Sequence, residues 1–176
     1  MTSSGEGQPG RKPGPAGRNP DPTGGAIDPG SVAGTAAVGV DVVGISAFAG
    51  QLAEPGTRFA QVFTPAERRA AGSGEGSPEL GEAQSLAARW AAKEAVIKAW
   101  SSTCFGHPEV IDPEFVDLRE IEVRSDAWGR PAIRLHGAIA QAMAGYEVLV
   151  SLSHDPAADV AVAFVVLQPS QLGADA

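Results

Sequence analysis

The chain has 176 residues, a formal net charge of −8, 22 Gly, 14 Pro and one cysteine, a length that suits one domain or one domain and a tail. The acidic balance argues against a general nucleic-acid binder, and the lone Cys104 excludes an internal disulfide framework or a Cys-based zinc site. No apolar run approaches the roughly 18 residues of a membrane span and no secretory h-region opens the sequence, so the expectation is a soluble, cytoplasmic protein.

Nine of the Gly and six of the Pro fall in residues 1–35, with six apolar residues, no aromatic, three acids and three bases. Such a stretch buries too little surface to offset the entropy of ordering its backbone, and it reads as a disordered tail. The net charge therefore belongs to a folded unit over residues 36–170, with a flexible end at 171–176. Val38 to Ile45 is a β-branched run expected to form a buried strand. A polar, helix-capable segment, Ser46 to Gln61, follows. Thr64-Pro65-Ala66-Glu67 has the form of a helix start, with Thr at the N-cap, Pro at the first helical position and Glu three residues on. Gly72 to Gly81 reads as a flexible surface loop.

Glu82 to Trp100 is the strongest helix, with a core stripe of Leu86, Trp90 and Ile97. Ala87, Ala91 and Ala95 keep a neighbouring face small enough for another backbone to approach. After an irregular connection, Phe115 to Arg124 and Pro131 to Leu135 read as strands joined across Ser125 to Arg130. His136 to Ala144 is a short helix ended by Gly145. Tyr146 to Ser153 and Val160 to Val166 are the last strands, with a turn at Asp155-Pro156. The order predicts an α+β fold, a mostly antiparallel sheet packed on one long helix.

Asp41 interrupts an apolar strand, where a bare carboxylate costs several kcal/mol. It is either solvated at a strand end or held by a cation as a metal ligand. Glu94 and Lys98, spaced i, i+4, are an ordinary surface pair or part of a site. Lys93 points along the apolar stripe and Arg89 lies on its other flank. Together these resemble a metal carboxylate with cations for phosphates around it. Ser151-Leu152-Ser153-His154-Asp155 ends a strand, and as a Ser/His/Asp triad it is poor, because neighbouring strand residues diverge and no glycine elbow is present. His154 is a surface residue or a contact for a phosphate or hydroxyl. Trp128-Gly129-Arg130-Pro131 is a plain hairpin turn or a nucleotide-contacting loop.

Taken in order, these signals resemble the 4'-phosphopantetheinyl transferase superfamily. Val38-Gly39-Val40-Asp41-Val42-Val43 resembles its opening strand, and Ala88 to Ala99 (ARWAAKEAVIKA) its long-helix motif. Gly129-Arg130-Pro131 and Ser151-Leu152-Ser153-His154 resemble its two later motifs, so the likeness spans residues 38 to about 167. Larger relatives are two fused copies with a second acid two residues after the strand Asp. Here that position is Val43 and there is one copy, which matches the small class. The Gly/Pro-rich N-terminus is a departure from the family pattern.

The resemblance implies transfer of 4'-phosphopantetheine from coenzyme A to a serine of an apo acyl carrier protein, releasing adenosine 3',5'-bisphosphate. It also implies a homotrimer with sites between subunits. Magnesium fits the residues, since it takes one or two carboxylates and binds substrate phosphates. Asp41 and Glu94 would hold it, with Glu94 as base and Lys98 on the phosphates. Arg89, Gly129, Arg130 and Pro131 would bind the nucleotide end, and His154 would close the site, from a neighbouring subunit. Acyl carrier proteins are acidic, as is this chain. Arg58, Arg68, Arg69, Arg89, Lys93 and Lys98 nevertheless lie close in sequence, and a local positive face steers an acidic partner within about 8–10 Å. Arg68 and Arg69 are assigned to that surface, or else to a solvated helix face. The rivals are a non-catalytic coenzyme A-binding or assembly module of the same fold, and a magnesium phosphohydrolase, which would want more carboxylates.

Overall fold

A computed structural model describes residues 36–57, 59–72 and 78–170. The expected tails at 1–35 and 171–176, Arg58, and residues 73–77 of the expected loop lie outside the described residues. Two antiparallel sheets surround one long helix. Strand β1 (Ala37–Gly44) pairs with β5 (Val160–Pro169), which pairs in turn with β4 (Tyr146–Asp155). Strands β2 (Ile121–Ser125) and β3 (Pro131–Leu135) form a separate hairpin. Helix α3 (Pro78–Thr103) packs on β1, β5, β4 and β2, while α1 (Ile45–Ala53) and α2 (Pro65–Ala71) cover its other side. A short helix, α4 (Gly137–Ala142), links β3 to β4.

The single apolar stripe expected on α3 gives way to burial nearly all round. Ala87, Ala91, Ala92, Ala95, Val96 and Ala99 are all fully buried, because sheet lies on one side of the helix and α1 and α2 on the other. Small side chains make this possible. Gly39 of β1 meets α3 so closely that a Cβ added there would strike the Ala95 carbonyl oxygen and lie 2.7 Å from the Ala99 nitrogen. Both obstacles are helix backbone, which cannot rotate away. Gly39→Ala is therefore expected to cost at least the 1–3 kcal/mol or so of an overpacked core. Urea unfolding would measure it, and an unchanged midpoint would refute the close approach.

Helix α3, β4 and β5 run past their expected ends to Thr103, Asp155 and Pro169, and three segments depart further from the sequence reading. Helix α3 begins at Pro78 rather than Glu82, because Pro78 at the first helical position starts the helix despite Gly81. The expected strand at Phe115 is instead two turns of 3-10 helix, Pro113–Phe115 and Leu118–Glu120, before β2 starts at Ile121. Asp112 accepts from the Glu114 amide at 3.0 Å and Asp117 from the Arg119 amide at 2.9 Å, local bonds that compete with a ladder. The segment 46–61 divides into α1 and a 3-10 turn at Phe59–Val62. Helix α1 is tied down by Asp159 in the β4–β5 turn. Its Oδ1 accepts from the Ser46 amide at 2.9 Å and the Ser46 hydroxyl at 2.8 Å.

The capping box at Thr64 forms as read. Thr64 Oγ1 accepts from the Glu67 amide at 3.2 Å, and the Thr64 amide donates to Glu67 Oε2 at 2.8 Å. Glu67 does more than cap. Its Oε2 pairs with Lys93 Nζ at 3.0 Å, its Oε1 accepts from the Val123 amide at 3.0 Å, and both side chains of the pair are fully buried.

Candidate functional site

Residues alternate faces along a strand, so Gly39, Asp41 and Val43 share the side of β1 that meets α3. This puts Asp41 opposite the exposed edge of the helix. Lys98 Nζ reaches Asp41 Oδ1 at 2.7 Å, with the lysine side chain half-exposed and the aspartate 14% exposed. The compensating cation that a strand carboxylate demands is thus supplied by the chain itself. Glu94 lies one helical turn before Lys98. It shares with Asp41 a pocket of about 430 Å³ lined also by Phe48, Phe59 and Trp90. Burial, and then the charge of Asp41, push the Glu94 carboxyl above its ordinary range, while Lys98 opposes them. Two carboxylates sharing one opening, one of them reluctant to ionise, suit a divalent cation. No cluster of three or more His, Cys, Asp or Glu able to hold a metal occurs among the described residues, so further ligands would be water or substrate, as magnesium favours.

The remaining predicted residues gather elsewhere. Arg89 precedes Glu94 by five positions, about 140° round the helix, and faces the β2–β3 hairpin. Arg89, Gly129, Pro131 and His154 line a second pocket of about 230 Å³ with Ser85 and Leu152. Arg89 is 8% exposed and donates from Nη1 to the Ser85 carbonyl and hydroxyl, while its Nε has no partner among the described residues. Burial lowers its pKa. A buried guanidinium with a spare donor is a receptor for an anion. Arg130 stands at the tip of the hairpin, mostly exposed, its Nε on Asp126 at 2.6 Å.

The sequence reading placed Lys93 among the phosphate cations, and the structure corrects this. Its Nζ donates to Glu67, to the Leu118 carbonyl at 2.9 Å and to the Ile121 carbonyl, which satisfies all three protons in the interior. A cation on the apolar stripe of a buried helix needs a buried partner, and the capping glutamate is that partner. Sequence reasoning also missed Phe59, whose ring stacks on Trp90 at 4.2 Å and forms a wall of the acid pocket. It lies on a 3-10 turn with no periodicity to mark it.

Strand, helix, hairpin and strand-exit motifs therefore gather into two clusters on opposite flanks of α3, the acids Asp41 and Glu94 in one and Arg89, Gly129, Pro131 and His154 in the other. The model of the 4'-phosphopantetheinyl transferase superfamily matches residues 37–165, and the chain belongs to this family. It is 50% identical over 135 residues to the holo-[acyl-carrier-protein] synthase of Mycobacterium tuberculosis (strain ATCC 25618 / H37Rv), covering 77% of this chain and 98% of that one. The Corynebacterium glutamicum (strain R) synthase of the same name is 49% identical over 134 residues, covering 74% of this chain and 96% of that one. Among solved structures, the ACPS–CoA complex of Chronobacterium ammoniagenes superposes with a TM-score of 0.70 at 44% identity, covering 78% of this chain and 99% of that one.

Proposed function

We infer that the chain is a holo-[acyl-carrier-protein] synthase, moving 4'-phosphopantetheine from coenzyme A to a serine of an apo acyl carrier protein. The observation that carries the site assignment is the shared pocket of Asp41 and Glu94 with Lys98 at its edge. The serine hydroxyl gives its proton to Glu94, directly or through a water. The serine oxygen bonds to the β-phosphorus of coenzyme A, the bond from that phosphorus to the bridging oxygen breaks, and adenosine 3',5'-bisphosphate leaves. Lys98 exchanges Asp41 for the phosphates. Arg89 and Arg130 hold the nucleotide end, with the Gly129–Pro131 backbone and His154 beside them. Magnesium, held by Asp41 and Glu94, would neutralise charge on the pyrophosphate. Incubation with coenzyme A, magnesium and apo carrier tests the reading by intact mass. A phosphopantetheine increment on the carrier is expected, and no increment on several carriers would refute it.

As half-sites the two clusters are complementary, and a homotrimer in which each copy offers its acids to the next copy's anion pocket joins them. The outer face of the β1-β5-β4 sheet supports such an assembly. Val38, Val40, Val42, Leu149 and Phe164 stand exposed there, with Val40 paired to Phe164, an apolar patch of the kind that marks interfaces. Variants Glu94→Gln and His154→Ala, each impaired alone, are expected to regain activity when co-expressed. The ceiling is about a quarter of wild type, the statistical share for head-to-tail pairing in a closed ring. No recovery in mixed assemblies would place each site within one chain.

Arg68 and Arg69 are both exposed on α2, and Arg68 edges a groove lined by Leu52, Ala53 and Leu86. They form the proposed face for the acidic carrier. Reversing both to Glu is expected to raise KM for the carrier about tenfold or more at low salt, less at high salt, and to leave KM for coenzyme A unmoved. Equal shifts in both constants would remove them from the carrier surface. No described helix is long and apolar enough to cross a membrane, and the proposed location is the cytoplasm.

A further inference from the structure

We propose that Trp128 is the stacking platform for the adenine of coenzyme A, an inference that rests on the transferase reading. The indole is 79% exposed on the β2–β3 loop, the opposite of what a large aromatic does without a partner. The loop that presents it is clasped by hydrogen bonds. Asp126 Oδ1 accepts from the Trp128 and Arg130 amides at 2.9 Å each, and the Gly129 amide donates to the Asp126 carbonyl at 3.0 Å. Gly129 supplies the turn with φ of +79°. These bonds, led by the Arg130 amide, hold the Asp126 carboxyl below its ordinary range, so the clasp is intact at neutral pH.

One face of the indole is already taken. The Arg130 guanidinium lies 4.8 Å from the ring centroid while its Nε is pinned on Asp126. The other face is left for a second flat group, and a cation behind the ring is the arrangement that accompanies aromatic–base stacking. The neighbouring pocket says which group. Gly129 and Pro131, on either side of Arg130, line the opening that contains Arg89 and His154, and its 230 Å³ falls below the roughly 300–1,000 Å³ of pockets that enclose a whole ligand. It has room for the phosphorylated end of a nucleotide. The base must then lie at the rim, where the only exposed ring on this hairpin stands among the described residues.

The experiment compares wild type, Trp128→Ala and Trp128→Phe as full chains, binding adenosine 3',5'-bisphosphate and base-free ribose 3,5-bisphosphate by calorimetry. Trp128→Ala is expected to weaken the adenine ligand about tenfold, within the usual worth of one stacked base, and to spare the base-free ligand. Trp128→Phe should restore most of the loss. In turnover the same tenfold should fall on KM for coenzyme A and not on KM for the carrier. Equal weakening of both ligands, or no weakening of either, overturns the proposal. So does a fall in assembled mass by light scattering in Trp128→Ala, which would make the indole a contact between copies. A wild-type chain that modifies no carrier overturns the transferase reading instead, a separate outcome.

Discussion

Glu94→Gln is expected to lose about 10²–10⁴-fold in kcat/KM, the usual share of a positioned general base, and yet to be no less stable than the parent at neutral pH. The two halves of this result have one cause. Burial and the nearby Asp41 charge raise the Glu94 carboxyl in the folded chain above its ordinary 4.5. A carboxyl whose pKa is raised by folding favours the folded state fully below about 4.5, and that advantage is lost as pH rises through the folded value. Above that window the parent carries an ionised carboxylate in a poor environment. Glutamine keeps the shape and cannot ionise, so it escapes the penalty. Urea midpoints in chelator should therefore converge at acid pH and favour the variant at pH 8. A variant within threefold of wild-type activity would end the assignment of Glu94 as base. One that is equally destabilised at both pH values would end the electrostatic account.

Lys93→Met should show the reverse pattern, with a large loss of stability and little change in the chemistry of the molecules that remain folded. The Lys93 ammonium is completely buried and binds Glu67 and two backbone carbonyls. Its pKa is lowered by burial, with Glu67 resisting. Removing one partner of a buried pair leaves the other charge uncompensated, at about 3–5 kcal/mol, a large part of the 5–15 kcal/mol that holds a domain together. Melting should fall by more than about 10 °C. The double variant Lys93→Met/Glu67→Gln should recover part of this, because glutamine still accepts from Val123 without a buried charge. A Lys93→Met chain that melted normally but failed to bind coenzyme A would return Lys93 to the phosphates.

The contrast between these residues shows what the sequence made legible. Asp41 stood out because a charge breaks a β-branched run, and Glu94 with Lys98 because i, i+4 spacing on a helix is local geometry. β3 has the bounds read for it, since Pro131 opens it and the Asp126–Arg130 turn precedes it. The capping box at Thr64 was equally local. Glu67, however, has a second role that depends on an ion pair 26 positions away in sequence, and no window of sequence contains both residues. The separation of the candidate residues into two pockets was hidden for a related reason. Helical spacing put Arg89 on a different flank from Glu94, but the element covering each flank is a tertiary fact. The turns at Asp112 and Asp117 were missed because side-chain bonds to the next amides overrode the apolar residues around them.

The contact between Gly39 and the backbone of α3 has a consequence for chemistry as well as packing. Asp41 is two residues beyond Gly39 on the same face of β1, and Glu94 adjoins the Ala95 that Gly39 touches. The two carboxylates therefore ride on main chains pressed against each other, and their bite is set by a gauge too narrow for a methyl group. Side chains elsewhere can drift without altering it. On the proposed reading that the pair holds a divalent cation, a wider gauge, even in a chain that still folded, would suit a larger ion than a smaller one, and ion preference would then be written into the thickness of an alanine-lined seam.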